Sequence, residues 1–147
     1  MQIKNKINFI IIIFTSFLFF NLNLAADEFD ISAKEIIIDK ENETIVGKES
    51  VQAKDSEGKI IYADKIIYKK SNEFLHAEGN VEIIDVKGNI LKADKATYDK
   101  LNEIISTYSN TEIFLNDGYK LIGKNILYNS GKKILSSSDN SIFSDVD

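Results

Sequence analysis

The sequence predicts an all-β chain made of four copies of one strand-pair unit stacked side by side, and three observations lead there. First, the chain repeats every 30 residues without an insertion. Ala33, Ala63, Ala93 and Gly123 open the copies, Ile38, Tyr68, Tyr98 and Tyr128 follow, and Val51, Val81, Thr111 and Ser141 mark a later shared position. Turn residues keep the same step, at Gly58, Gly88 and Gly118 and at Ser50, Asn80, Asn110 and Asn140. A fixed period in this range means supersecondary units that cannot bury their apolar faces alone. Second, each copy divides into strand-sized runs with no helical period. Third, apolar residues alternate along those runs in step from copy to copy.

The elements follow in order. Residues 1–26 stand outside the repeat: Lys4 and Lys6 precede an apolar run from Ile7 to Phe20, and Ala25 and Ala26 precede Asp27. This is the layout of a secretory signal peptide. An uncleaved anchor is the alternative, because Ile7 to Leu24 just reaches the length that spans a bilayer. Either way residues 27–147 are expected to be exported. With no Cys there is no lipoprotein anchor, disulfide framework, thiol nucleophile or Cys-ligated metal. Pro, Trp and Arg are absent as well, and without Pro nothing interrupts the ladders of long strands.

The second copy shows the unit. Ile61 to Tyr68 is a strand, Lys69 to Glu73 a polar turn, Phe74 to Asp85 a longer strand, and Val86 to Asn89 a tight turn into the next copy. Gly79-Asn80 inside the longer strand reads as a bulge or bend. Overlaying the copies gives an inward set on the first strand: Ile31, Ile61, Leu91 and Leu121, then the Ala/Gly position, then Ile37, Ile67, Thr97 and Leu127. The inward set on the second strand holds Ile45, Leu75, Ile105 and Leu135, then Gly47, Ala77, Thr107 and Ser137. It continues through Val51, Val81, Thr111 and Ser141 to Ala53, Ile83, Ile113 and Phe143. Lys, Glu, Asp and Asn take the other face, together with the Ile38, Tyr68, Tyr98, Tyr128 column, read as the place where the sheet folds over. The small inward residues have two readings: close packing of two sheets, or space left for an apolar ligand.

Removing residues 1–26 takes away two lysines and no acidic residue, leaving 16 Lys against 23 Asp and Glu and a net charge of −7. That balance argues against nucleic acid, which requires clustered cations, and against a basic membrane-surface patch. No residue set nominates an enzyme. His76 is the sole histidine, and its counterparts Val46, Ser106 and Ser136 are neither ligands nor bases. Ser136 to Ser138 read as a degenerate last copy. Asp85, Asp117 and Asp145 lie near turns, where Asp bonds local backbone, and lack the spacing of calcium-binding repeats. Asn42-Glu43-Thr44 fits a glycosylation pattern in a turn. No catalytic residue, metal or cofactor is predicted. A parallel β-helix of the kind found in structural solenoids and adhesins remains an alternative topology for 30-residue rungs.

Ala63-Asp-Lys-Ile-Ile-Tyr68, Ala77-Glu-Gly-Asn-Val81 and Ala93-Asp-Lys-Ala-Thr-Tyr98 resemble the repeats of the OstA-like domain of the lipopolysaccharide-transport (Lpt) family. The first copy departs with Lys34, Ile38 and Gly47-Lys-Glu-Ser-Val51, and the fourth with Gly123-Lys-Asn and Ser137-Ser-Asp-Asn-Ser141. Atypical end copies are expected in a stack. The resemblance covers residues 29–147. It implies a twisted, open β-jellyroll, two sheets in a V, whose apolar trough holds lipopolysaccharide acyl chains in the periplasm of a Gram-negative bacterium. It also implies edge-strand pairing with other jellyrolls of the family, in a bridge between the membranes. The trough wall expected to bind lipid comprises Ile61, Ala63, Ile67, Leu75, Val81, Ile83, Leu91, Ala93, Ile105 and Ile113. Asp145-Val-Asp147 aligns with Asp85-Val-Lys87, one residue short of the turn Gly. The expectation is therefore a fragment: the periplasmic head of the outer-membrane assembly member, whose C-terminal barrel would follow. A complete periplasmic bridge protein is the alternative.

Overall fold

The computed structural model describes residues 29–145. The signal segment and the final two residues, on which part of the fragment reading rests, lie outside them. Eleven strands are joined in one antiparallel sheet. They are β1 (Asp30–Ser32), β2 (Glu35–Asp39), β3 (Thr44–Lys54), β4 (Ile60–Lys69), β5 (Phe74–Ile84), β6 (Ile90–Asp99), β7 (Ile104–Phe114), β8 (Tyr119–Lys124), β9 (Ile126–Asn129), β10 (Ile134–Ser137) and β11 (Ile142–Asp145). Every pairing among the described residues is antiparallel, so the topology is not a parallel β-helix.

The sheet divides into two wings because its long strands change partner midway. The first half of β3 pairs with β2 and the second half with β1. At the other end β7 pairs first with β9 and then with β8. One wing thus runs β2-β3-β4-β5-β6-β7-β9-β10 and the other β1-β3-β4-β5-β6-β7-β8-β11. Strands β3 to β7 pass through both.

The corner between the wings is where the ladder slips. Register shifts fall between Lys48 and Val51, between Tyr62 and Lys65, between Glu78 and Val81, and between Ala93 and Lys95. In β5 the corner is Gly79-Asn80, at φ +77° and +47°. Two consecutive left-handed residues insert a bend that a regular strand cannot make. Asp64 of the Ala-Asp-Lys motif packs against Gly79, and its Oδ2 accepts a hydrogen bond from Asn80 Nδ2 at 2.9 Å. The two halves of the repeat motif are therefore one corner device. In β3 the same bend uses Glu49 and Ser50, at φ +59° and +55°.

The free ends of the wings form the mouth of the V, built from two families of turn. In one, Glu43, Glu73, Glu103 and Lys133 take the left-handed conformation at 30-residue intervals. Asp39 and Asp99 brace their turns by accepting bonds from the backbone and side chains of Asn42 and Asn102. In the other, Asp85 Oδ1 accepts from the Lys87 and Asn89 amides, and Gly88 closes the turn at φ +84°. The outer faces carry paired charges, among them Lys92–Glu82 and Lys120–Glu112, both at 3.1 Å.

Candidate functional site

The interior between the wings is one apolar cluster, in which Val51, Ala53, Ile61, Ile66 and Ala77 are fully buried. Of the ten predicted wall residues, Ile61, Ala63, Leu75, Val81, Ile83, Leu91, Ala93, Ile105 and Ile113 are buried in it. Ile67 is not. It lies half-buried between Val46 and His76, while its neighbours Ile66 and Tyr68 are buried. The cause is the corner: from Ala63 to Ile66 the strand takes three steps, so strict alternation puts the wrong residue of the Ile66-Ile67 pair inside. The same slip turns Ala96, Tyr98 and Ile126 inward.

The Tyr column is corrected with it. Tyr68 and Tyr98 are 1% exposed and stand at the mouth; the fold-over lies at Asp64-Lys65 and Gly79-Asn80. Nor do the small inward residues leave space for a ligand. A Cβ on Gly47 would lie 2.8 Å from Val51 Cγ1. Thr111 Oγ1 donates to Thr107 Oγ1 at 2.7 Å, and Thr107 Oγ1 accepts from the Ile126 amide at 3.0 Å. These positions pack the corner.

Open space lies at the mouth, under the third and fourth repeats. A cleft of about 80 Å³ runs between Ile83, Leu91, Ile113 and Leu115 of one wing and Ile105, Tyr128 and Leu135 of the other, with Asp85 and Asn89 at its rim. It continues outward into a polar basin lined by Glu57, Asp85, Lys87, Glu103, Ser130 and Lys133. The cleft is well below the roughly 300–1,000 Å³ of pockets that enclose drug-sized ligands. An alkyl chain can occupy it only if the wings part there.

Under the first two repeats the mouth is closed. Phe29, just before β1, meets Tyr68 edge-on at 4.9 Å and Tyr98 at 5.9 Å. Lys59 Nζ donates to the Tyr98 hydroxyl at 2.6 Å and lies 3.7 Å from Asp55 Oδ2, with both Lys59 and Asp55 buried. Lys100 Nζ reaches Ser56 Oγ at 3.4 Å across the same gap. Burial first, and then the charge of Asp55, push the Tyr98 hydroxyl well above its ordinary pKa, so it stays neutral. Burial and then Asp85 raise Tyr128 in the same direction.

Sequence reasoning passed over Phe29, Asp55 and Lys59. A periodic signal existed, since Phe29, Lys59, Asn89 and Tyr119 occupy one position of the repeat, but its chemistry changes in every copy. Among the described residues no group of three or more His, Cys, Asp or Glu could hold a metal ion. His76 Nε2 pairs with Glu78 Oε1 at 3.1 Å on the outer face.

Fold and site together define a class: a two-winged antiparallel β-jellyroll, open at one side, with an aliphatic interior and a polar rim. No protein-family model matches the chain, and no curated protein does. Among solved structures it is similar to LptH, described as the LptA-homologous periplasmic component of the conserved lipopolysaccharide transport device from Pseudomonas aeruginosa. The TM-score is 0.69 at 10% identity, over 80% of this chain and 94% of that one. At that identity the likeness shows the shared fold.

Proposed function

We propose that this protein carries lipopolysaccharide without chemical conversion, holding acyl chains between its wings and leaving the sugar head at the wet mouth. The observation that carries the reading is the aliphatic cleft with its polar rim, in a fold shared with LptH. Each methylene moved from water into it contributes about 0.8 kcal/mol, so a few methylenes exceed the cost of parting a few side-chain contacts. The phosphorylated head never enters the acidic protein's interior.

The proposal includes edge-to-edge joining. Edge strand β2 presents Ile36, Ile37 and Ile38 to solvent, and at the other end of the stack Ile134, Ile142 and Phe143 are exposed. Unpaired apolar edges are templates for strand addition, and head-to-tail pairing would continue one trough through several molecules. The finer assignment is to the periplasmic head of an outer-membrane assembly protein. It is tested by whether the reading frame runs on past Asp147 into hundreds of residues of alternating strands. A free-standing periplasmic bridge is the other outcome.

The test of the carrier reading is photo-crosslinking with purified lipopolysaccharide. Probes at Leu91, Leu115 and Leu135 should form lipid adducts, and a probe at Ile67 on the outer face should not. Adducts only from Ile67, or from none of the four, would sink the proposal.

A further inference from the structure

The residue that precedes the first strand of each repeat faces, from one wing, the tyrosine 39 residues further on in the other wing. The pairs are Phe29 with Tyr68, Lys59 with Tyr98 and Asn89 with Tyr128. They are not alike. The first is a ring-on-ring contact, and the second a buried hydrogen bond with the ammonium 4.0 Å from the ring centre. In the third, Asn89 is too short to cross: its Nδ2 turns back to Asp85 Oδ2 at 2.7 Å. Tyr128 is left half-buried, and the cleft opens between them.

We infer that Phe29–Tyr68 and Lys59–Tyr98 form a latch across the mouth, so that an alkyl chain enters sideways at the unlatched Asn89–Tyr128 position. It then reaches the first two repeats only when Lys59 releases Tyr98. This deepens the carrier proposal and rests on it. The latch is built to open without stranding a charge. Asp55 and Lys59 belong to the same turn of one wing, and Asp55 Oδ2 is buried with no hydrogen-bond partner while Lys59 Nζ stands 3.7 Å away. When the wings part, the ammonium can swing from Tyr98 onto that waiting oxygen. The charge pair tightens as the bond between the wings breaks.

The rim supports an amphiphile as the occupant. Aliphatic side chains line the depth of the cleft, while Lys87 and Lys133 stand in the basin above it, where an anionic head would emerge. Asp85 and Glu103 line the same basin. The head group is therefore expected to sit over the lysines and stay hydrated.

The absence of cysteine makes the test clean. Spin labels on Glu57→Cys with Leu101→Cys report the latched mouth, and labels on Lys87→Cys with Lys132→Cys report the unlatched one. Two exchanges then swap the latch residue between repeats: Lys59→Asn removes it from the second, and Asn89→Lys supplies it to the third. Without lipid, the first label pair should give the narrower distance distribution in the parent protein. Lys59→Asn should broaden it, and Asn89→Lys should narrow the second pair. With purified lipopolysaccharide, Lys59→Asn should raise adducts from a probe at Leu75 roughly thirty-fold, the factor a hydrogen bond to a charged group carries in an equilibrium. Asn89→Lys should lower adducts from Leu135 by a similar factor. Distances that ignore both exchanges, or adduct yields that ignore them while the distances respond, overturn the latch. A complete lack of adducts in parent and variants overturns the carrier reading instead. Because Asn89→Lys alters a partly exposed turn residue, it keeps the test alive if Lys59→Asn fails to fold.

Discussion

The second and fourth repeats derive from the same 30-residue period, yet one is sealed and the other open. Ile61, Leu75 and Val81 are 0–2% exposed, whereas Leu121 and Leu135 are half-buried and Phe143, the counterpart of Ile83, is 60% exposed. Two causes separate them. A middle repeat is covered by neighbours on both sides, and an end repeat by one. The residue facing the tyrosine across the mouth also reaches it in the first two repeats and falls short in the third. The period thus fixes the backbone, while a few periodic positions decide where the interior can be entered.

The largest test of that contrast is a cavity in each half. Ile61→Ala empties a fully buried site and should cost about 3–4 kcal/mol in urea denaturation. Leu121→Ala, at the same repeat position in the half-buried fourth copy, should cost about 1 kcal/mol, because the parent side chain retains solvent contact. Equal losses would mean that the fourth repeat is as tightly sealed as the second.

The mouth gives the next effect. Tyr98→Phe removes the acceptor of a buried ammonium and should cost about 2 kcal/mol, the range of hydrogen bonds to charged groups. Tyr128→Phe should cost under about 0.5 kcal/mol, since that hydroxyl meets no ammonium from the facing wing. Thermal melts of the two variants side by side decide it. A larger loss at Tyr128 would reverse the assignment of latched and unlatched repeats.

How much of this was legible beforehand depends on the element. The period, the turns, the bend at Gly79-Asn80 and the burial of nine of the ten expected wall residues follow from spacing and alternation, because antiparallel strands project side chains with period two. The corner did not follow. A two-residue period carries no sign that β4 steps by three between Ala63 and Ile66, so alternation alone puts Ile67 inside and the Tyr column outside. Within the Ile66-Ile67 doublet either residue suits a core, and only the three-dimensional bend distinguishes them. The latch was hidden for another reason: a position that reads Phe29, Lys59, Asn89 has no shared chemistry until its partners are known.

The corner also supplies a test. Gly79→Ala adds a Cβ at φ +77° against the Asp64 carboxylate that holds Asn80, and should cost about 1.5 kcal/mol. Gly118→Ala in the turn before β8, at φ +92° with nothing near the new methyl, meets the backbone strain alone and should cost about 1 kcal/mol. Asp64→Ala should bring the first loss down to the second. If it does not, the close approach of Asp64 is not what makes Gly79 necessary.

The smallest expected effect lies on the outer face and depends on pH. Glu78 joins three strands of the closed half through Lys95 at 3.0 Å, His76 at 3.1 Å and Lys65 at 3.6 Å; its counterpart in the next repeat is the uncharged Tyr108. The hydrogen bond from Lys95, and then that from His76, lower its pKa from 4.5 to about 2. A depressed carboxylate contributes stability that is complete above 4.5 and is lost as the pH falls through 2. Glu78→Gln should therefore flatten the stability profile in that acid window and leave its slope near neutrality unchanged. Because the carboxylate is partly accessible to solvent, added salt should shrink the difference between parent and variant. Denaturation midpoints measured across the window at low and high salt test both statements. An acid slope identical in parent and variant would show that the charge knot over the closed half contributes no pH-linked stability.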